Sequence, residues 1–263
     1  MPSVILLEDL RVSAAGVPLV HGVSVTIEAG ESVALLGHSG SGKSLTAAAI
    51  TGGLSRMLDA TGRLTLCGRD ADVASSHRPL GSVATVQQDS SSALNPLARV
   101  GSQLAVPLRR RALSRTQALA RAAELLDACG IEDPPRVLRS YPAELSGGQR
   151  QRVCIALALA CETQALVADE PTTALDVVSQ AQVLETLAAA RARAGLALLF
   201  ITHDLAAASQ ICDRAIVLHD GRVIERGTFA ELVGDPRHPY TRELVDAVRP
   251  AGSASGRPAG AGR

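Results

Sequence analysis

Short apolar runs bounded by glycine or charge punctuate the chain and set its predicted strands. Ser32 to Leu36 (SVALL) lies between Gly30 and Gly37, and Ser82 to Val86 runs into the polar stretch QQDSSS. Ala165 to Ala168 ends in two carboxylates, and Leu196 to Ile201 ends in Thr-His-Asp. Runs this short and this apolar fit strands buried on both faces. Helical patterns lie between them. Lys43 to Gly52 is rich in alanine, Val178 to Ala194 stops at Gly195, and Asp204 is placed to cap a further helix. Residues 61–70 instead alternate apolar and polar and turn at Gly68, as an antiparallel strand does. Ala215 to Leu218 and Arg222 to Glu225 read as a hairpin-like pair across His-Asp-Gly. The alternation predicts an α/β protein with a mainly parallel sheet flanked by helices, preceded by an antiparallel N-terminal β-subdomain.

From about residue 89 to residue 161 the strand pattern stops. Arginine and alanine recur at helical spacing, most plainly over Thr116 to Cys129, and Pro134-Pro135 breaks the run. A helical subdomain inserted into the α/β core is the expectation. One domain is predicted over residues 1–250, and the Gly- and Ala-rich residues 251–263 are expected to be disordered.

Composition narrows the function. With 46% hydrophobic residues the chain can bury a sizeable core. No run approaches the roughly 18–20 apolar residues of a membrane span, and the N-terminal MPSVILLEDLRV reaches acidic residues too early for a secretory signal. The 26 basic and 26 acidic residues cancel, which argues against nucleic acid as a partner. Phe200, Phe229, Tyr141 and Tyr240 are the only aromatics besides histidine, too few for a base-stacking platform. Cys67, Cys129, Cys154, Cys161 and Cys212 form no CxxC pair and are expected as reduced, buried thiols. Of the 26 basic residues, all are arginine except Lys43.

That lysine marks the chemistry. Gly37, His38, Ser39, Gly40, Ser41, Gly42, Lys43 and Ser44 follow a predicted strand and open a predicted helix, matching G-x-x-x-x-G-K-[ST] in its required context. Glycines let the backbone wrap so that successive N–H groups face phosphate oxygens, and the helix start adds its positive dipole end. Lys43 would bridge the β- and γ-phosphates of a bound nucleotide, and the Ser44 hydroxyl would ligate Mg²⁺. A compact ammonium fits this cradle and a planar guanidinium does not. Asp169, at the end of ALVADE, is placed to hold Mg²⁺ through water, and Glu170 to polarise an attacking water.

Leu145 to Gln149 reads LSGGQ and precedes Arg150-Gln-Arg and the apolar VCIALALA. With these motifs the chain resembles the nucleotide-binding subunit of an ABC transporter, over about residues 4–245. The resemblance implies an ATPase working with ATP and Mg²⁺. It implies that Ser146, Gly147, Gly148 and Gln149 meet the γ-phosphate held by the opposite subunit. Gln88 matches the glutamine that touches Mg²⁺ and the lytic water, with Gln87 the alternative. Asp176 in TTALD matches the aspartate that crosses the dimer interface, and His203 in ITHD the histidine that contacts the γ-phosphate. Implied catalytic groups are therefore Glu170, His203, Gln88 and Lys43, and implied metal ligands Ser44, Gln88 and Asp169. Implied partners are a second nucleotide-binding subunit, identical or paralogous and head to tail, two transmembrane permeases and, indirectly, an extracytoplasmic binding protein. The implied location is peripheral, on the cytoplasmic face of the cell membrane.

QDSSSALNP (residues 88–96) and DPRHPYTR (residues 235–242) are similar to segments of importers for dipeptides, oligopeptides and nickel, and the stretches around LVHGVSVTIEAG and TTALDVVSQAQ look closest to the nickel-type member. Another cargo, export, or a soluble ABC ATPase of DNA repair or translation are the alternatives. One departure concerns the base: Ala14 and Ala15 stand where the family carries an aromatic residue that stacks on adenine, an interaction of about 1–3 kcal/mol. At that turn the sequence does not choose adenine over guanine.

Overall fold

The protein is described by a computed structural model over residues 3–173 and 175–248. The chain opens with two long antiparallel strands, β1 (Ser3–Ala14) and β2 (Val17–Glu28), followed by β3 (Ser32–Leu36), helix α1 (Lys43–Thr51), β4 (Leu58–Leu66), β5 (Arg69–Ala71) and β6 (Val83–Val86). β1, β2, β4 and β5 form a four-stranded antiparallel sheet in the order β2-β1-β4-β5. Strict alternation fails within β1. Pairing with β2 shifts register between Leu7 and Leu10, and Asp9 has φ of 50°. The bulge turns Leu10 and Val12 back to the interior already faced by Ile5 and Leu7.

The inserted helices are α2 (Ser90–Ala93), α3 (Val100–Arg109), α4 (Arg115–Ala128), α5 (Pro134–Arg139) and α6 (Gly147–Ala160), with a 3₁₀ turn over Pro142–Glu144. These helices run from Ser90 to Ala160. Pro134 and Pro135 begin α5 as well as interrupting the preceding helical run, because a first helical turn needs no N–H donor there.

Next come β7 (Ala165–Asp169), α7 (Val177–Ala194), β8 (Ala197–Thr202), α8 (Leu205–Ile211), β9 (Arg214–His219), β10 (Arg222–Thr228), α9 (Phe229–Gly234) and α10 (Pro239–Val248). The second sheet has six strands in the order β10-β9-β3-β8-β7-β6, parallel except where β10 pairs with β9. Helices α9 and α10 were not anticipated, although Thr228 and Glu231 form a reciprocal capping box at the start of α9. The tail expected to be disordered, residues 251–263, lies outside the described residues.

Both faces of the parallel sheet are covered. Ala34, Leu36, Leu198 and Phe200 face the helices, whereas Val33, Leu35, Leu199 and Ile201 face α1 and the antiparallel sheet. This two-sided burial is why the strands read as unbroken apolar runs. Among the described residues no helix is long and apolar enough to cross a membrane. All five cysteines are free, but only Cys129, Cys154 and Cys212 are buried, their thiols pushed up to about 12 by loss of water. Contrary to expectation, Cys161 is exposed and Cys67 half-buried, because each lies just past the end of its element.

Phe200, at the centre of β8, is wholly buried in the helix-facing core. Phe200→Ala should cost about 3–5 kcal/mol of unfolding free energy. Urea unfolding should show this as a lower midpoint at unchanged slope, and a loss below about 1 kcal/mol would contradict the packing described.

Candidate active site

Four parallel strands deliver their carboxyl ends to one edge of the sheet: β3 to Gly37, β6 to Gln88, β7 to Asp169 and Glu170, and β8 to His203. In an open α/β sheet this is where a ligand crevice forms. The phosphate loop, residues 37–44, leaves β3 and enters α1 at Lys43. It lies against the β9–β10 hairpin. A Cβ on Gly37 would stand 2.5 Å from the Leu218 carbonyl oxygen, so only glycine fits there. Gly221 N–H donates to the Ser41 carbonyl at 3.1 Å.

Lys43 is 4% exposed, and its ammonium donates to the carbonyls of Gly37 at 2.8 Å and His38 at 2.9 Å. The Glu170 carboxylate stands 3.7 Å away on its other side. Glu170 adopts φ of 45°, an unfavourable left-handed conformation for a side chain of this kind, costing about 1–3 kcal/mol. Its N–H donates to the Ile201 carbonyl at 2.9 Å, which ties that conformation to β8. The carboxylate is then fixed from two sides. Thr173 Oγ1 donates to Oε2 at 2.9 Å, and His203 Nδ1 lies 3.4 Å from the same oxygen. Thr173 escaped the sequence reading; its only signal was its place three residues after the carboxylate.

Beside this group, Ser44 Oγ donates to Asp169 Oδ1 at 3.4 Å. Burial raises the Asp169 pKa above its ordinary value, opposed by the Ser44 hydroxyl and then helped by the Glu170 charge, with Lys43 pulling the other way. Burial likewise lowers the Lys43 pKa, and Glu170 and Asp169 resist that shift. A hydroxyl and a carboxylate this close, with the amide oxygen of Gln88 on the same cleft, are hard oxygen donors of the kind Mg²⁺ takes.

The cleft itself holds about 630 Å³ and is lined by His38, Ser39, Gly40, Gly42, Lys43, Ser44, Gln88, Glu170 and His203. Gln88 therefore faces the cleft. Gln87, the alternative, does not line it, and its carbonyl accepts from Gln151 Nε2 at 3.3 Å. Tyr240 and Leu244 of α10 complete the wall, a contribution the sequence reading missed. At the β1–β2 turn, Ala14 and Ala15 bring no ring, and the nearby hollow is lined by Arg11, Pro18, Val20 and His21 among others.

The pentapeptide lies elsewhere. Ser146 caps α6, accepting from Gln149 N–H at 3.2 Å while the Gln149 side chain accepts from Ser146 N–H at 3.2 Å. None of Ser146, Gly147, Gly148, Gln149 or Asp176 lines the cleft of their own chain. Gly148 has a reason within the fold: a Cβ there would meet Ser179 Oγ at 2.8 Å. Asp176 caps α7 and grips that same Ser179 through its N–H at 2.9 Å and its hydroxyl at 2.7 Å. The two segments thus share one anchoring residue.

The raised Asp169 pKa has a sign. A carboxyl that holds its proton more tightly folded than unfolded costs stability once pH rises above its ordinary value of 3.8. Asp169→Asn should therefore raise the melting temperature of the ligand-free protein at neutral pH. The gain should shrink as pH falls toward 3.8. A melting temperature that drops at neutral pH would show that the Ser44 and Lys43 contacts outweigh burial.

Residues 20–173 match the family described as ABC transporter. The chain is 41% identical over 258 residues to a protein of Brucella melitensis named as a peptide import ATP-binding protein, covering 93% of this chain and 76% of that one. It is 43% identical over 252 residues to the oligopeptide transport ATP-binding protein OppD of Mycobacterium tuberculosis, covering 94% of this chain and 41% of that longer protein. Among solved structures, cbiO1 from Clostridium perfringens, part of the ABC transporter complex cbiONQ, is similar with a TM-score of 0.76 at 26% identity, over 89% of this chain and 92% of that one. A likeness that takes in the phosphate loop and runs along nearly the whole chain makes it a member of the ABC transporter family, an ATP-binding subunit whose hydrolysis of ATP is coupled to transport.

Proposed function

We propose that two such subunits, identical or paralogous, pair head to tail and enclose two ATP molecules. Each ATP would lie between the cleft of one subunit and the Ser146–Gln149 segment of the other. The observation that carries this reading is the separation within one chain. The capped start of α6 leaves Ser146 exposed, yet borders no part of its own cleft. A helix start with glycines is an anion site, and a two-fold operation would bring it over the partner's phosphates.

Within the closed site, Lys43 would exchange its carbonyl partners for the β- and γ-phosphates. Glu170, aligned by Thr173 and His203, would orient water for in-line attack. Lys43, His203 and the partner's Ser146 would stabilise the charge developing on the γ-phosphoryl group. Ser44, Asp169 and Gln88 are the residues that would hold Mg²⁺, which neutralises phosphate charge when bound.

The cargo we assign is short peptides, and the direction import, on the strength of the names carried by the relatives quoted above. The subunit would sit on the cytoplasmic face of the membrane beneath two permeases fed by an extracytoplasmic binding protein. Leu97, 88% exposed, and Val106 on α3 offer apolar contact for a permease from the helical subdomain. The nickel-type likeness of short segments is a second reading of the cargo, and one uptake experiment separates the two.

Glu170→Gln should keep ATP binding and lower hydrolysis by about 10²–10⁴-fold, and should run as a dimer in size-exclusion chromatography only with ATP. Hydrolysis near wild type would remove Glu170 from its role. In a strain lacking the chain, labelled short peptides and labelled nickel should be offered in parallel. Peptide uptake should return with the wild-type chain and fail with Lys43→Ala, whereas restored uptake of nickel alone would overturn the peptide assignment.

A further inference from the structure

The β9–β10 hairpin closes on Asp220 and Gly221, with φ of 47° and 70°. Two consecutive positive φ values in an Asp-Gly pair make the tight turn whose twist matches its strands. The turn carries His219 and Asp220 beside the phosphate loop, where His38, which also lines the cleft, reaches Asp220. His219 Nδ1 lies 3.3 Å from Asp220 Oδ2, and His38 Nε2 lies 3.5 Å from Asp220 Oδ1. All three ligand atoms lie within 4.8 Å of one another.

The His38 tautomer is settled by its surroundings. Nδ1 stands 2.6 Å from the Ser39 carbonyl oxygen, which can only accept, so Nδ1 carries the hydrogen. In the neutral ring Nε2 then turns a lone pair toward the Asp220 carboxylate. Two acceptors facing each other at this distance need a cation or a proton between them. An imidazole whose other nitrogen donates to a backbone carbonyl is the usual arrangement of a metal-binding histidine.

We propose that His38, His219 and Asp220 form a divalent transition-metal site of the zinc class, distinct from the Mg²⁺ position at Ser44 and Asp169. Two imidazoles and one carboxylate suit zinc-like ions and do not suit Mg²⁺, which prefers oxygen. Ligand bonds of about 2.0–2.1 Å in a tetrahedron put ligand atoms about 3.3 Å apart. The two pairs involving Asp220, at 3.3 and 3.5 Å, are near that spacing but use its two different oxygens. A turn of the carboxylate that offers one oxygen to both rings, and a closing of the two imidazoles, would complete the site.

Tyr240 braces both rings, with centroids 5.7 Å from His38 and 4.8 Å from His219. His238 is not a ready fourth ligand, because its Nδ1 accepts from Tyr240 N–H at 3.2 Å. The fourth position falls to water, and the exposure of Asp220 leaves an entry path. Because His38 belongs to the phosphate loop, an ion here ties that loop to the hairpin at the rim of the cleft.

The test is Zn²⁺ binding to the full nucleotide-free chain by isothermal titration calorimetry, with Co²⁺ absorption as a second probe. One equivalent should bind, and His219→Ala and Asp220→Asn should each weaken binding by at least about tenfold. Asparagine is at home in a turn residue with positive φ, so Asp220→Asn keeps the fold if His219→Ala does not. Cys161→Ser, which removes the exposed thiol, should bind as wild type. The visible Co²⁺ bands should be those of a tetrahedral site without thiolate. Affinity unchanged in both cluster variants, loss of binding in Cys161→Ser, or no binding at micromolar Zn²⁺ would overturn the proposal.

Discussion

The buried ammonium of Lys43 is the constraint on which the rest of the site depends. A cation at 4% exposure is tolerable only if its donors are all met and negative charge lies close. Two loop carbonyls take two of its three hydrogens, Glu170 stands 3.7 Å away on the other side, and Glu170 and Asp169 supply the charge. Each places a demand on the fold. The carbonyls point inward only because Gly37 lets the loop approach the β9 backbone. Glu170 reaches the ammonium only through a left-handed backbone held by β8. Strand order is therefore part of the electrostatics: with β7, β8 and β9 elsewhere, the lysine would have neither carboxylate nor a closed loop.

The two carboxylates in turn meet different surroundings. Glu170 accepts from Thr173 and sits beside His203, and both fix its orientation. Asp169 has one weak contact from Ser44, and burial favours its proton. A carboxyl that is costly to ionise within the fold is one that a bound cation would relieve, so part of the binding free energy of such a cation is set by this local destabilisation. Neighbouring residues on one strand end are thus prepared for different work.

How far all this could be read from the sequence follows from how the physics is written into it. Buried parallel strands appear as apolar runs, so the strand that ends in Asp169 and Glu170 is plain in the sequence; Lys43 is marked by its phosphate-loop motif, and Gln88, with Gln87 as the alternative, and His203 by family resemblance alone. Spacing carries no such information about partners across the fold. Thr173 beside Glu170, Ser179 beneath Gly148, and His219 beside His38 are contacts between segments with no common periodicity. The bulge in β1 hides for a related reason: one extra residue shifts the inward face, and the apolar positions no longer alternate. Cys161 misled because an apolar helix was extended past its last turn.

The segment DPRHPYTR makes the same point from the other side. In the sequence it served only as a mark of kinship. In the fold, Glu225 on β10 accepts from the N–H groups of Arg237 and His238 at 2.9 and 3.1 Å and so fixes where the segment begins. Arg242 returns to the carbonyls of Pro236 and Arg237 at 3.1 and 2.8 Å and closes it into a compact turn. Pro239 starts α10, Thr241 is buried, and Tyr240 is left facing His38 and the cleft. The combined effect is to hold an aromatic ring against His38 of the phosphate loop. In a chain with so few aromatics, placing one of its two tyrosines there makes the C-terminal helix a wall of the nucleotide site rather than an appendage to it.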